Sequence, residues 1–197
     1  ILMSYIGVQP NNIKQNIGVY TPSEILQLTK DGSWGGSLEL IAEQTVSGVS
    51  QVDFTSIQEQ NYNVHFMTGI LTGNGNNRPM LRFFESGVIE EASVYQGAYQ
   101  QITVGGSSEN KSTGATNLDL FVGASETGES SIAYCYIYNA GNSSKFTFQT
   151  QQGMMTSTVR AEYGGGVLPQ ASVVDGFRII TDGTTINGTI KLFGIKQ

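Results

Sequence analysis

The chain has 197 residues, a net charge of −6 and only 13% charged residues, while Ser, Thr, Asn and Gln together supply 65 residues. Disordered chains combine low hydrophobicity with high charge, and helical bundles are rich in Ala, Glu, Lys and Leu, so this composition excludes both classes. Ten basic residues in an acidic chain give no footprint for phosphate binding, and no apolar run reaches the roughly twenty residues of a membrane-spanning helix.

The first 36 residues differ in texture from the rest of the chain. They show little periodicity apart from one helix start, with Thr21 or Ser23 as the N-cap and Pro22 in the first turn. We expect one or two helical turns there, ending before Gly32. Because the region is short and mostly aperiodic, it cannot form a core of its own, and residues 1–36 are predicted to be an irregular docking segment that lies on the main domain or on a neighbouring chain.

From Ser37 onward the apolar residues recur with a period of two, which is typical of β-strands. Gly-, Asn- and Ser-rich stretches separate these runs and predict loops, at 72–77, 105–108, 139–144 and 164–166, with a tight turn at 182–183. Many short strands without a long amphipathic helix predict an all-β fold, an antiparallel β-sandwich of jelly-roll or lectin-like type over residues 37–197. The candidate strands are 38–46, 52–57, 62–70, 80–84, 93–104, 118–122, 132–138, 145–149, 155–162, 177–181 and 189–195.

Residues that could carry catalysis are few. His65 is the only histidine and lies in the middle of a strand, so a structural role is favoured. Cys135 has no partner for a disulfide and is predicted to be a buried, inert thiol. Glu90 and Glu91 would point to opposite faces of a strand, although carboxylates from distant strands cannot be paired by spacing. No metal-ligand spacing or phosphate-binding loop is present, so the sequence predicts a binding protein without catalysis, metal or cofactor.

The aromatic residues are the stronger signal for function. An exposed ring can stack on the C–H face of a sugar while amides and hydroxyls bond its oxygens. For Tyr95 and Tyr99, which share a strand face near several glutamines, a sugar platform and a core position remain equally open. The row Tyr134, Tyr136 and Tyr138 is predicted to form half of the core or a subunit contact. The candidate ligand-binding residues are Trp34, Asn74, Asn76, Arg78, Tyr95, Tyr99 and Asn142.

Both ends of the chain resemble virion proteins of marine tailed bacteriophages. Residues 3–10, Met-Ser-Tyr-Ile-Gly-Val-Gln-Pro, are similar to the short virion-proximal segment that opens many such proteins, and residues 18–24 and 32–36 are similar in the same context. The ending, residues 174–180 and 186–196, resembles the closing strands of phage β-sandwich domains. The resemblance implies a lectin-like sandwich on the virion surface, made in the host cytoplasm and docked through Tyr5, Ile6, Val8 and Pro10.

The resemblance implies a short tail fibre, head fibre or capsid-decoration protein, because no shaft precedes the sandwich. Its expected partners are other virion proteins and a host-surface glycan or receptor, with no nucleic acid and no membrane insertion. Lysines that could guard sheet edges are scarce, so we also expect self-association, as a homotrimer. The alternatives are a non-viral carbohydrate-binding or adhesin module, which needs no docking segment, and a glycan depolymerase.

Overall fold

The computed structural model describes residues 21–30, 38–73, 78–120, 130–155 and 159–196. The chain divides into two units, Ile1–Gly36 and Ser37–Gln197. In the first unit, helix α1 spans Pro22–Lys30. Its nine residues make about two and a half turns, slightly more than the sequence predicts.

Thr21 caps the helix. Its hydroxyl accepts a hydrogen bond from the Glu24 N–H (3.2 Å), and the Glu24 carboxylate in turn accepts the Thr21 N–H (2.8 Å). This reciprocal arrangement is a capping box, which satisfies backbone donors that the first helical turn leaves free. The helix start predicted from Thr21 and Pro22 is therefore confirmed.

The second unit is an antiparallel β-sandwich, as predicted. Its larger sheet, sheet A, has the order β1-β13-β3-β9-β10-β11-β6-β7, and its smaller sheet, sheet B, has the order β2-β12-β4-β5 with β8 also paired to β4. The strands are β1 (Leu38–Val49), β2 (Gln51–Phe54), β3 (Val64–Gly73), β4 (Met80–Glu85), β5 (Val88–Ile89), β6 (Tyr95–Thr103), β7 (Gly106–Ala115), β8 (Leu118–Asp119), β9 (Ser130–Tyr138), β10 (Thr147–Met155), β11 (Arg160–Leu168), β12 (Val174–Ile180) and β13 (Ile186–Ile195).

Several strand assignments differ from the sequence prediction, and the short β5 was not predicted. The predicted strand 155–162 is divided, because Met155 ends β10 and Arg160 begins β11. The glycines at 164–166, predicted as a loop, lie inside β11. Residues 106–115, which open on a predicted loop, form β7, whose exposed side chains leave no apolar alternation to detect.

The core lies between the inner face of sheet A and sheet B. Rings from the two sheets meet there: His65 of β3 contacts Phe177 of β12 at 5.4 Å, and Tyr95 of β6 contacts Phe83 of β4 at 5.9 Å between centroids. The fully buried aliphatic side chains of this cluster include Leu71, Leu81, Ile137, Ile179, Ile190 and Leu192. Burial of these side chains supplies the main favourable term for folding.

Strands β9 and β10 orient their larger side chains away from this core. In β9 the buried positions hold small or medium residues such as Ala133 and Cys135, while Tyr134, Tyr136 and Tyr138 lie on the outer face of sheet A. The prediction that this tyrosine row belongs to the sandwich core is therefore wrong, and a subunit contact and a sugar platform both stay open as predictions. The physical reason is the alternation of the strand, since Ala133, Cys135 and Ile137 occupy the inward positions.

Candidate functional site

A groove crosses the outer face of sheet A over strands β10, β11, β6 and β7. It has a volume of about 640 Å³ and is open to solvent. The side chains and backbone that line it are Gln96, Gly97, Ala98, Lys111, Ser112, Thr113, Phe148, Gln149, Thr150, Gly165, Gly166 and Val167. At about 640 Å³ it is larger than two further hollows of about 370 and 290 Å³ on the same sheet, and it is the candidate binding site.

Small residues form the floor of the groove. Ala98 and Gly165 occupy directly paired positions on β6 and β11. A Cβ atom at Gly165 would approach the carbonyl oxygen of Gln149 closer than real structures allow. Glycine at this position therefore lets strands β10 and β11 lie side by side without a clash, and it adds no side chain to the floor of the groove.

The walls combine one aromatic ring with uncharged polar groups. Phe148 is exposed on β10, and Thr150 and Gln96 offer a hydroxyl and an amide nearby. A ring beside hydroxyl and amide groups can bind a sugar by stacking and hydrogen bonding together. The groove thus combines the ring, amide and hydroxyl groups of a sugar site, which the sequence analysis expected at other residues such as Tyr95 and Tyr99.

A second hollow of about 370 Å³ continues the groove along β6 and β7. The two share Ala98 and Lys111, and the second adds Gln100 and Tyr163. Lys111 is paired with Glu109 at 3.2 Å, and both side chains are largely exposed. Since the two charges offset each other, the lining is close to neutral.

A buried polar cluster lies on the inner face of the strands that form the groove. The Glu162 carboxylate is 0% exposed on the inner face of β11. It accepts hydrogen bonds from the side-chain amides of Gln101 (2.6 Å) and Gln151 (2.9 Å), and Arg78 lies 3.4 Å away. A buried carboxylate is tolerated when donors and a cation surround it, which is the case here.

The same network reaches strand β8. Arg78 donates to Asp119 at 2.9 Å, and Asn110 donates to the same carboxylate oxygen at 2.8 Å. The Asp119 N–H donates to the Tyr99 hydroxyl at 3.1 Å. Side-chain hydrogen bonds therefore tie β6, β7 and β11 of the groove sheet to β8 of sheet B.

Tyr95 and Tyr99 are core residues, so the reading that makes them exposed sugar platforms is wrong. Both rings are buried, and burial raises the pKa of each phenol. The Tyr95 hydroxyl accepts the Phe83 N–H at 3.0 Å and donates to the Glu90 carbonyl at 3.2 Å. These internal partners satisfy the hydroxyl groups that buried tyrosines must pair.

Arg78 and Asn142 are also placed away from the groove. The guanidinium of Arg78 is engaged by the two carboxylates described above, so its predicted role as a ligand contact is not supported by its position. Asn142 lies in the turn between β9 and β10, where its side-chain oxygen accepts the Ser144 N–H at 2.9 Å. It stabilises that turn and does not line the groove.

The remaining predicted site residues lie outside the described residues. They are the ligand candidates Trp34, Asn74 and Asn76 and the docking candidates Tyr5, Ile6, Val8 and Pro10. The groove residues Phe148, Thr150 and Lys111 were missed by sequence reasoning. No local motif marks them, because the groove is assembled from four strands by sheet pairing.

His65 and Cys135 are buried in the core, in agreement with the structural roles predicted for them from the sequence. Burial lowers the pKa of His65, opposed by its hydrogen bond to the Ile57 carbonyl (2.8 Å) and by the Glu59 carboxylate. Burial raises the pKa of the Cys135 thiol to about 12. Neither group reaches the outer face of sheet A.

Across the described ranges, no three His, Cys, Asp or Glu side chains are grouped as a metal site. In the same part of the chain, none of the helical structure is long and apolar enough to span a bilayer.

The chain was also compared with known proteins. No family model matches it, and neither a curated protein nor a solved structure shows significant similarity to it.

Proposed function

We propose that this chain is a structural protein of a bacteriophage virion that displays its β-sandwich on the particle surface and binds a host-surface glycan through the groove. The observation that carries the binding proposal is the groove itself, with one exposed ring, several amides and hydroxyls, and a floor of small residues. The virion location rests on the resemblance of both chain ends to phage proteins.

The chemistry of the groove favours a neutral glycan. Its one cation, among the described lining residues, is Lys111, which is paired with Glu109 at 3.2 Å. A strongly acidic polymer would call for several unpaired cations, and the lining does not provide them. Uncharged donors and acceptors beside Phe148 match the hydroxyls and C–H faces of neutral sugars.

The carboxylates near the groove favour binding over hydrolysis, because the exposed one, Glu109, is paired with Lys111 and the other, Glu162, is buried. A glycosidase places two carboxylates on opposite sides of a substrate cleft. Here Glu162 lies on the inner face of the sheet, 0% exposed, and its oxygens are engaged by amides. Its position therefore supports a structural role for this group.

Filling the groove tests the proposal. We expect Ala98→Tyr to weaken binding of polysaccharide purified from the host surface at least about tenfold, equivalent to about 1.4 kcal/mol, measured by calorimetry. Ser107→Tyr is the matched control, because Ser107 is exposed on β7 of the same sheet but lies outside the groove.

Equal binding by the two variants would contradict the assignment of the groove. Shortening of the polysaccharide by the protein would favour the depolymerase alternative. The virion location is tested separately by mass spectrometry of purified particles, in which peptides of this chain are expected. Glycan binding by a protein absent from particles would favour a non-viral carbohydrate-binding module.

A further inference from the structure

The outer face of sheet A carries an apolar patch beside the groove. We propose that this patch is covered by another copy of the same chain. The patch extends over β1, β13, β3, β9 and β10 and shares no residue with the groove. Its members are Leu40, Phe66, Ile70, Ile132, Tyr134, Tyr136, Tyr138, Met154 and Phe193.

The patch includes large side chains that a solitary domain would expose. Ile70 is 61% exposed and Ile132 is 51% exposed, and they are directly paired across β3 and β9. Met154 of β10 is paired with Ile132 and continues this row. Contiguous apolar surface of this kind on a soluble protein marks an interaction site.

The aromatic rings of the patch pack against one another within a single copy of the chain. Phe66 lies 5.0 Å from Tyr136, 6.1 Å from Tyr134 and 6.0 Å from Phe193 between ring centroids. The Tyr134 hydroxyl donates to the side chain of Gln152 at 2.8 Å, which holds that ring along the sheet. Because these side chains are constrained before association, little rotamer entropy is lost when a partner covers them.

The part of the outer face that holds the patch is large enough for a protein interface. Five strands about 4.8 Å apart, over roughly seven residues at about 3.3 Å, outline about 500 Å² per copy, with polar positions such as Thr68 and Gln152 included. Two such faces bury about 1,000 Å² in total, which reaches the lower bound for a specific interface. Sheets pack face to face about 10 Å apart, so two copies can meet without rearranging their backbones.

The charge distribution points to a second copy as the partner. The outer-face positions of β3, β9 and β10 hold no charged residue. On the β1 side, Glu43 and Lys191 are paired at 3.1 Å, so that flank presents both signs of charge. A neutral centre with a mixed rim is complementary to itself, whereas a nucleic acid or an acidic polymer would select a basic surface.

The test uses the full chain and light scattering over a range of concentrations. We expect the unaltered protein to be an oligomer and Ile70→Lys to weaken association roughly 100-fold or more, as for a central interface residue. Val88→Lys is the matched control, because Val88 lies on sheet B and its exposed fraction of 68% is close to the 61% of Ile70. A monomeric unaltered protein, or equal association by the two variants, would overturn the proposal.

A second measurement uses only the unaltered protein, so it does not depend on a variant that folds. Tyr134 and Tyr163 are comparably exposed in a single copy, at 39% and 50%, but only Tyr134 lies in the patch. Hydroxyl-radical footprinting is expected to leave Tyr163 reactive and to protect Tyr134 several-fold in the oligomer. Full reactivity of both rings would show that another surface joins the copies and would refute the assignment.

Discussion

The apolar patch and the groove lie on the same face of one sheet, yet they differ in almost every physical property. The patch is built from large side chains such as Phe66 and Tyr136, whereas the groove floor is Ala98 and Gly165. The inner faces differ too: β3 and β13 of the patch bury aliphatic side chains such as Leu71 and Ile190, while β11 of the groove buries Glu162 with its amide partners.

Alternation of apolar and polar residues along a strand therefore does not show by itself which face of the sheet is buried. In β10 the buried positions include Gln149 and Gln151, while Phe148 and Met154 are exposed. A strand of this kind has its usual polarity reversed. Such a reversal is tolerated here because the inward amides of Gln149 and Gln151 donate to the Asp119 carbonyl and the Glu162 carboxylate.

We expect the greatest loss of stability when the buried polar cluster of the groove strands is broken. Glu162→Ala leaves the amide donors of Gln101 and Gln151 without their shared acceptor, and we expect the free energy of unfolding to fall by about 3 kcal/mol. Urea denaturation measures it. Glu43→Ala, which removes one exposed ion pair on the patch side, should cost less than about 0.5 kcal/mol. A similar small cost for both variants would refute the stabilising role of the buried network.

The next effect concerns His65, which lies on the inner face of β3 beneath the patch. Its folded-state pKa is lowered below the ordinary value of 6.5, chiefly by burial. Nε2 faces the Ile57 carbonyl at 2.8 Å, while Nδ1 has no partner among the described residues, so a second proton would be unpaired. The unfolded chain therefore binds this proton more readily than the folded protein.

It follows that the stability contributed by neutral His65 is present above pH 6.5 and is lost as the pH falls toward the folded-state pKa. The loss is at most about 1.4 kcal/mol per pH unit. Urea denaturation between pH 7.5 and 5.5 should show this slope, and His65→Gln, which retains an N–H donor, should show a flatter one. An unchanged slope in the variant would contradict the assignment.

The free energy of unfolding is expected to change least when an exposed side chain of the groove is removed. Lys111 is largely exposed and its ion pair with Glu109 is a surface pair. Lys111→Ala should therefore change the free energy of unfolding by less than about 0.5 kcal/mol. A cost above 1 kcal/mol, measured by the same denaturation series, would mean that the groove side chains also support the fold, and the contrast between surface and interior would disappear.

The architecture was predictable because most strands carry a clear period of two and are separated by glycine-rich turns. Gly183, at the predicted tight turn, has a φ of +73°, which favours glycine. β7 was missed because both its faces meet solvent, so selection for apolar alternation is absent. Gly164 and Gly166 were read as loop residues, but they make room for the Tyr99 ring inside the sheet.

The candidate site was less predictable than the fold. Tyr95 and Tyr99 lie near several glutamines in the sequence, which is typical of a sugar-binding surface. Only the structure shows that both rings are buried and that their hydroxyls accept backbone N–H groups of Phe83 and Asp119. Phe148 and Ala98 are far apart in sequence and become neighbours through β11, which pairs with both of their strands. No spacing rule could have joined them.

The exposure of strand β7 separates the proposed binding surface from the core. The strand contributes Lys111, Ser112 and Thr113 to the groove, yet its own side chains are almost all exposed and it is held by its pairing with β6. Substitutions along it can therefore change the chemistry of the groove while the core side chains stay in place. The sandwich combines a buried cluster that holds the fold with a strip of side chains that can be replaced without disturbing it.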